Sequence, residues 1–171
     1  MGEVIGYLRP DKATYGEELV LQTLQASLPS DFIIYVECPL HDGRLERFPD
    51  FIVLANYGVV VLEVKDWVQI VEIDKYHARI RDRGNRTRRE RNPVHVARDY
   101  ALLLADELQK VPELLRDNRK LRVPWGYAAV FPNLPPSVLT QLRSVWGEPF
   151  VLGEADLGQP VVTRRLKATI P

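Results

Sequence analysis

The sequence holds one cysteine, Cys38, among 171 residues. No intramolecular disulfide can form. A lone thiol without a CxxC partner, set in an apolar run, reads as a core residue of a protein in a reducing compartment. No apolar stretch reaches the about 18 residues needed to span a bilayer. The N-terminus MGEVIGYLRPDKATYGEE lacks a cationic segment followed by an apolar one, so it is no secretory signal, and Gly6 stands where myristoylation needs Ser or Thr. The expected location is therefore cytoplasmic, with no membrane partner. His41, His77 and His95 share no metal-ligand spacing with one another or with Cys38, which argues against zinc. There is no GxGxxG, GxxxxGK[ST] or GxSxG, so no dinucleotide site, phosphate-binding loop or nucleophile elbow is expected. Nor is there net charge: 23 Lys and Arg balance 23 Asp and Glu, so overall charge does not argue for nucleic acid.

What is present is an ordinary globular composition, 46% hydrophobic and 27% charged, in a length that suits one domain over residues 1–171. The ending VVTRRLKATIP has no obvious terminal element, so the chain can be whole or the N-terminal part of a longer protein. Tyr15 to Ser27 has helical spacing, with Thr14 as cap and Glu17 three residues on, and Pro29 stops it. Phe32 to Cys38 reads as a strand. Pro39 to Arg47 reads as a turn or hairpin loop. Phe51 to Ala55 and Val59 to Lys65 form a hairpin around Asn56-Tyr57-Gly58; both runs are almost continuously apolar, as strands covered on both faces are. Two shorter strands are expected over Val68–Asp74 and Ala78–Arg83. A second helix follows over Pro93–Lys110, its apolar face at Val96, Tyr100, Leu103, Leu104 and Leu108. Then come a buried strand over Trp125–Phe131, a third helix over Pro135–Val145 and a short strand over Pro149–Leu152. This order predicts an α/β fold: a central mixed β-sheet flanked by helices, the first helix on one face and the second on the other.

The hairpin raises a chemical question, because its open end is charged. Asp50 begins one strand, and Glu63 and Lys65 lie near the end of its partner, two residues apart and so on one face. Charges on an apolar sheet are costly unless paired, and even a good buried pair gains little. A metal ion would resolve the cost. Two carboxylates with water and a substrate phosphate make a typical Mg²⁺ shell, and the lysine can orient a water or offset developing charge. The plain alternative is an ion pair between Glu63 and Lys65 on a sheet edge, with Asp50 capping a turn.

Pro49-Asp50, twelve residues, then Glu63-Val64-Lys65 resembles the PD-(D/E)xK signature of restriction-endonuclease-like nucleases. With Gly16-Glu17 heading a helix, the hairpin DFIVLANYGVVVLEVKDW and Asn92-Pro93 opening the next helix, roughly Tyr15 to Val130 looks like the nuclease-related domain, NERD. The resemblance implies a restriction-endonuclease-like α/β domain that hydrolyses DNA phosphodiesters with Mg²⁺ or Mn²⁺. Asp50 and Glu63 would bind metal and Lys65 would assist hydrolysis. Glu17, with Glu18 as its neighbouring alternative, would add to the site, and the Val64 carbonyl is a further candidate ligand. Such domains often accompany helicase or kinase-like domains. One position departs: related nucleases often carry a glutamine four residues before a tyrosine on the later helix, and here Val96 precedes Tyr100. Asp66 adds a charge facing away from Lys65, and Trp67 is expected over the edge of the site.

Arg79, Arg81, Arg83, Arg86, Arg88, Arg89 and Arg91 crowd one stretch with only Asp82 and Glu90 among them. Guanidinium forks suit phosphate, so this is a candidate DNA-backbone contact; a solvated loop balanced by acids elsewhere is the equal alternative. The main rival to a nuclease is a non-catalytic DNA-binding or protein-docking module that keeps the fold.

Overall fold

A computed structural model describes residues Met1–Pro171. Its centre is the charged hairpin, formed by β5 (Phe51–Ala55) and β6 (Gly58–Val64). They pair antiparallel from Phe51↔Leu62 to Ala55↔Gly58 around a two-residue turn. Gly58 has φ +145°, and a Cβ there would lie 2.4 Å from the Pro124 carbonyl oxygen, so the turn requires glycine. On the β5 side of the hairpin lie β2 (Ile33–Val36) and β1 (Glu3–Ile5); on the β6 side lie β10 (Trp125–Phe131) and β11 (Val151–Gly153). The sheet order is β1-β2-β5-β6-β10-β11. β2 runs antiparallel to β5, whereas β1 with β2, β6 with β10 and β10 with β11 are parallel. The expected mixed sheet flanked by helices is thus present.

Every residue of β6 is buried, because both faces are covered. On one face α1 (Tyr15–Ser27) sets Val20 and Leu24 against Val53, Leu62 and Val130, joined by Val162 and Leu166 of α4 (Val161–Ala168). On the other, α2 (Pro93–Gln109) packs Ala101 against Ile52 and Val61, and α3 (Pro136–Trp146) packs Leu139 and Leu142 against Ala129 and Phe131. Each fully buried Leu or Phe among these contributes about 1.5–3 kcal/mol relative to exposure. The line of α2 that meets the sheet is Ala97, Ala101 and Ala105. Tyr100, Leu103, Leu104 and Leu108 flank it, only partly buried. Small side chains let the helix axis approach the strands, so the larger residues expected along its inner face fall to either side.

Between β6 and α2 the chain builds a separate antiparallel sheet of β7 (Gln69–Ile73), β8 (His77–Arg81) and β9 (Thr87–Arg91). Three elements depart from expectation. The arginine stretch is not a loop: its last part is β9, whose TRRER sequence has no apolar alternation and is held by its ladder to β8. The C-terminal segment forms α4, and β1 pairs at the sheet edge. The Pro39–Arg47 segment, expected as a turn or hairpin loop, is a small hairpin of β3 (Leu40–His41) and β4 (Glu46–Arg47). No helix is long and apolar enough to cross a membrane.

Candidate active site

Extending the hairpin register by one residue sets Asp50 opposite Glu63. Both lie on the face that also carries Ile52 and Val61, under α2. Lys65, two residues on, shares that face. Asp50 Oδ2 accepts a hydrogen bond from the Val64 amide at 2.7 Å. Lys65 Nζ sits 2.9 Å from Glu63 Oε1. Lys65 therefore pairs with the acid on its own face, not with Asp66. Asp66 instead accepts from the Asn133 side chain and lies against Gly16, where a Cβ would come within 2.9 Å of its Oδ1. That close approach fits Gly16-Glu17 at the head of α1.

The electrostatics are those of two acids sharing one base. Burial pushes the Asp50 carboxyl well above the usual carboxylate range, and the nearby Glu63 and Glu17 charges add to it, opposed by the Val64 amide and Lys65. Glu63, 7% exposed, is raised by burial against the pull of Lys65. For Lys65 burial acts downward, yet Glu63, Asp50 and Glu90 outweigh it and raise the ammonium's pKa. One lysine thus neutralises one carboxylate, and the second is left in want of a cation.

Glu17 stands at the third position of α1 and closes a capping box. Its Oε2 accepts from the Thr14 amide at 2.9 Å, and its amide donates to Thr14 Oγ1 at 3.2 Å. It lies in the same electrostatic field: burial raises its pKa, the Thr14 amide opposes this, and Glu37, Lys65 and Asp66 act on it too. One of its oxygens is therefore already engaged. Val64 contributes its amide to Asp50.

Two residues that the motif does not mark also act on the site. Glu90 of β9 pairs in register with the buried Ala78, which turns it inward, and its charge reaches both Glu63 and Lys65. In the sequence it counted only as an acid diluting arginines; its place at the site comes from the strand pairing and from no local spacing. Tyr100 of α2 has its hydroxyl pKa raised by burial and then by Glu63 and Asp50. Beside it a cleft of about 360 Å³ opens, lined among others by Arg47, Arg91, Val96 and Tyr100. The position that departs from the nuclease pattern, Val96, therefore lines open space beside Tyr100.

The arginines are mostly paired. Arg79 meets Glu72 at 3.1 Å, Arg88 meets Glu90 at 2.8 Å and Arg91 meets Asp99 at 2.7 Å. Arg83 lies 3.9 Å from Asp66 and Arg86 4.0 Å from Asp82. Arg89 bonds the His77 ring at 2.9 Å, and Arg81 has no carboxylate partner. Register splits β8 and β9 by face: Arg88 lies with buried Ile80, whereas Arg79 opposes Arg89 on the outer face with Arg91. Trp67 is not at the site's edge. It is 4% exposed, with its ring centroid 5.4 Å from Phe131 and 6.4 Å from Trp146, and is a core residue.

The donor set can be tested against a metal. No group of three His, Cys, Asp or Glu side chains has metal-binding geometry. Asp50 and Glu63 supply two hard oxygen donors and a local excess of negative charge, which fits Mg²⁺ or Mn²⁺ held by one or two carboxylates with water and substrate phosphate.

Among known proteins, the family model of the nuclease-related domain, NERD, matches residues 12–132. Searches of curated proteins and of solved structures found no match to the chain. The matched region runs from the turn before α1 to the end of β10 and includes Glu17, Asp50, Glu63 and Lys65. The chain belongs to the nuclease-related domain family.

Proposed function

We propose that this chain is a divalent-metal-dependent nuclease that hydrolyses DNA phosphodiesters. The carrying observation is that Asp50 and Glu63 oppose each other across the hairpin while Lys65 holds Glu63 at 2.9 Å. Asp50 and Glu63 would hold Mg²⁺ or Mn²⁺, with the Val64 carbonyl and Glu17 at the margin of the shell. A bound metal lowers the pKa of water and offsets charge on the phosphoryl oxygens.

The protein's own residues prepare the rest. The Val64 amide fixes one oxygen of Asp50, and the other would be available to a cation. The Lys65 ammonium can release Glu63 toward a cation and donate to the attacking water or to a non-bridging phosphoryl oxygen. The water oxygen bonds to phosphorus, one P–O ester bond breaks, and the water's proton passes to the departing oxygen or to solvent. Arg79, Arg89 and Arg91 on the outer face of β8 and β9 would meet the phosphate backbone, with Arg86 in the exposed turn between the strands; Arg81, Arg83 and Arg88 line a cleft beside Asp66 and Trp67. A helicase or other domain, in the same chain or a partner, fits this role as a companion.

The test is digestion of linear, circular and single-stranded DNA with Mg²⁺, Mn²⁺ or EDTA. Metal-dependent cleavage by wild type but not by Glu63→Gln is expected; cleavage that survives EDTA refutes the reading. One observation favours the rival, a binding module without catalysis: no group of three His, Cys, Asp or Glu side chains has metal-binding geometry. The rival predicts DNA binding with no cleavage in any metal.

A further inference from the structure

At the same end of the sheet, one strand over from Asp50, lies a groove of about 250 Å³ lined by Gly6, Tyr7, Arg9, Val36, Glu37 and Phe48. Its link to the acids is direct. The Glu37 amide donates to the Asp50 carbonyl at 3.1 Å, and Phe48 precedes Asp50 by two residues, within about 7 Å along the chain.

The groove is built from parts that meet flat, cationic-friendly ligands. Tyr7 is 74% exposed and Phe48 40% exposed, so both rings present surface to the groove. The Arg9 guanidinium stands 5.6 Å over the Phe48 ring and is held there by Glu37 Oε2 at 3.0 Å. Glu37 itself sits at φ +47°, a strained conformation for a glutamate, so the backbone is held out of shape where it fixes that arginine. Gly6, at φ +91°, lies against Val36, where a Cβ would come 2.7 Å from the carbonyl oxygen, so the floor admits no side chain. The volume falls just under the about 300–1,000 Å³ of clefts for drug-sized ligands, which suits a single ring system.

We propose that this groove stacks one unpaired base of a DNA strand whose neighbouring phosphate lies at the Asp50–Glu63 pair. Exposed rings with an overlying guanidinium are the parts that single-strand binders use. Bases inside a duplex have both faces covered and cannot occupy such a groove, so the site would take single-stranded DNA or a frayed end. This rests on the nuclease reading for the position of the phosphate, but the stacking is measurable without cleavage.

The experiment is fluorescence anisotropy in EDTA with a labelled oligothymidylate, the same strand with abasic residues, and a blunt duplex of equal length. Wild type should bind the single strand more tightly than the abasic strand or the duplex. Tyr7→Ala and Phe48→Ala should each weaken single-strand binding about 5- to 150-fold and leave duplex and abasic binding unchanged. Phe48→Tyr, which keeps a ring, should bind as wild type. Single-strand binding unaffected by either alanine, or equal loss on all three probes, overturns the proposal. Absence of cleavage in metal, with the stacking pattern intact, would instead count against the nuclease reading alone.

Discussion

Replacing Lys65 with methionine tests the charge balance of the site. Methionine keeps the length of the stem and removes the ammonium. Glu63, 7% exposed, then has no partner on its own face, while Asp50 still faces it across the hairpin. Breaking a buried pair costs about 3–5 kcal/mol. The Lys65 side chain is 27% exposed, so solvent screens part of that. Glu63 can also escape by taking up a proton. From an unfolded value of about 4.3, that costs roughly 1.36 × 2.7, about 3.7 kcal/mol at pH 7, and about 1 kcal/mol at pH 5. The expected loss for Lys65→Met is therefore about 2–3 kcal/mol at pH 7, shrinking to about 1 kcal/mol or less at pH 5. In a domain of this size the neutral-pH loss lowers Tm by about 4–12 °C. Urea unfolding in EDTA, followed by the fluorescence of buried Trp67 and Trp146, measures it. Glu63→Gln combined with Lys65→Met should recover most of the loss. A loss below about 0.5 kcal/mol at pH 7, or one equal at both pH values, would show that the two groups are not coupled as their geometry requires.

Asp50→Asn should stabilise the metal-free protein, because Asp50's folded pKa lies well above its unfolded value of about 3.9. The folded state then holds the proton more tightly, so Asp50's contribution is fully present below about pH 4 and is lost as pH rises toward its raised folded pKa. The Tm advantage of the asparagine variant in EDTA should therefore grow with pH above about 4, and a flat difference contradicts the assignment. Gly58→Ala should cost at least about 1–3 kcal/mol, since φ +145° and a Cβ 2.4 Å from an anchored carbonyl oppose it; an unchanged urea midpoint would refute this. Arg81→Ala with Arg89→Ala removes the two arginines without carboxylate partners and should flatten the salt dependence of DNA binding by about two phosphate contacts, read as the slope of log K against log salt.

Much of this molecule was legible in its residues. The hairpin announced itself because strands covered on both faces leave near-continuous apolar runs, and charges at the end of such runs stand out. The Thr14–Glu17 box marked the start of α1 by its spacing alone. β9 was illegible because a strand at the edge of a small sheet, with one face in solvent, can be almost wholly polar. β1, at three residues, is too short to show a period, and α4 has only Val162 and Leu166 as buried anchors. In α2 the bulky residues drew attention from the alanine line that touches the sheet. At the site, the motif gave Asp50, Glu63 and Lys65, all of which come from one hairpin. Glu90 and Tyr100 reach it from other elements, through pairing that no local spacing encodes.

If the three charges of the hairpin are a hydrolytic metal site, each is needed for cleavage. The decisive experiment is cleavage of a single-stranded DNA substrate by wild type, Asp50→Asn, Glu63→Gln and Lys65→Met, with Mg²⁺ and with Mn²⁺, each variant first shown to be folded. The account predicts metal-dependent cleavage by wild type and a loss of at least about a hundredfold in each variant, the scale of removing one group that stabilises the transition state. Folded wild type that cuts nothing in either metal, or variants that cut as well as it does, would contradict it.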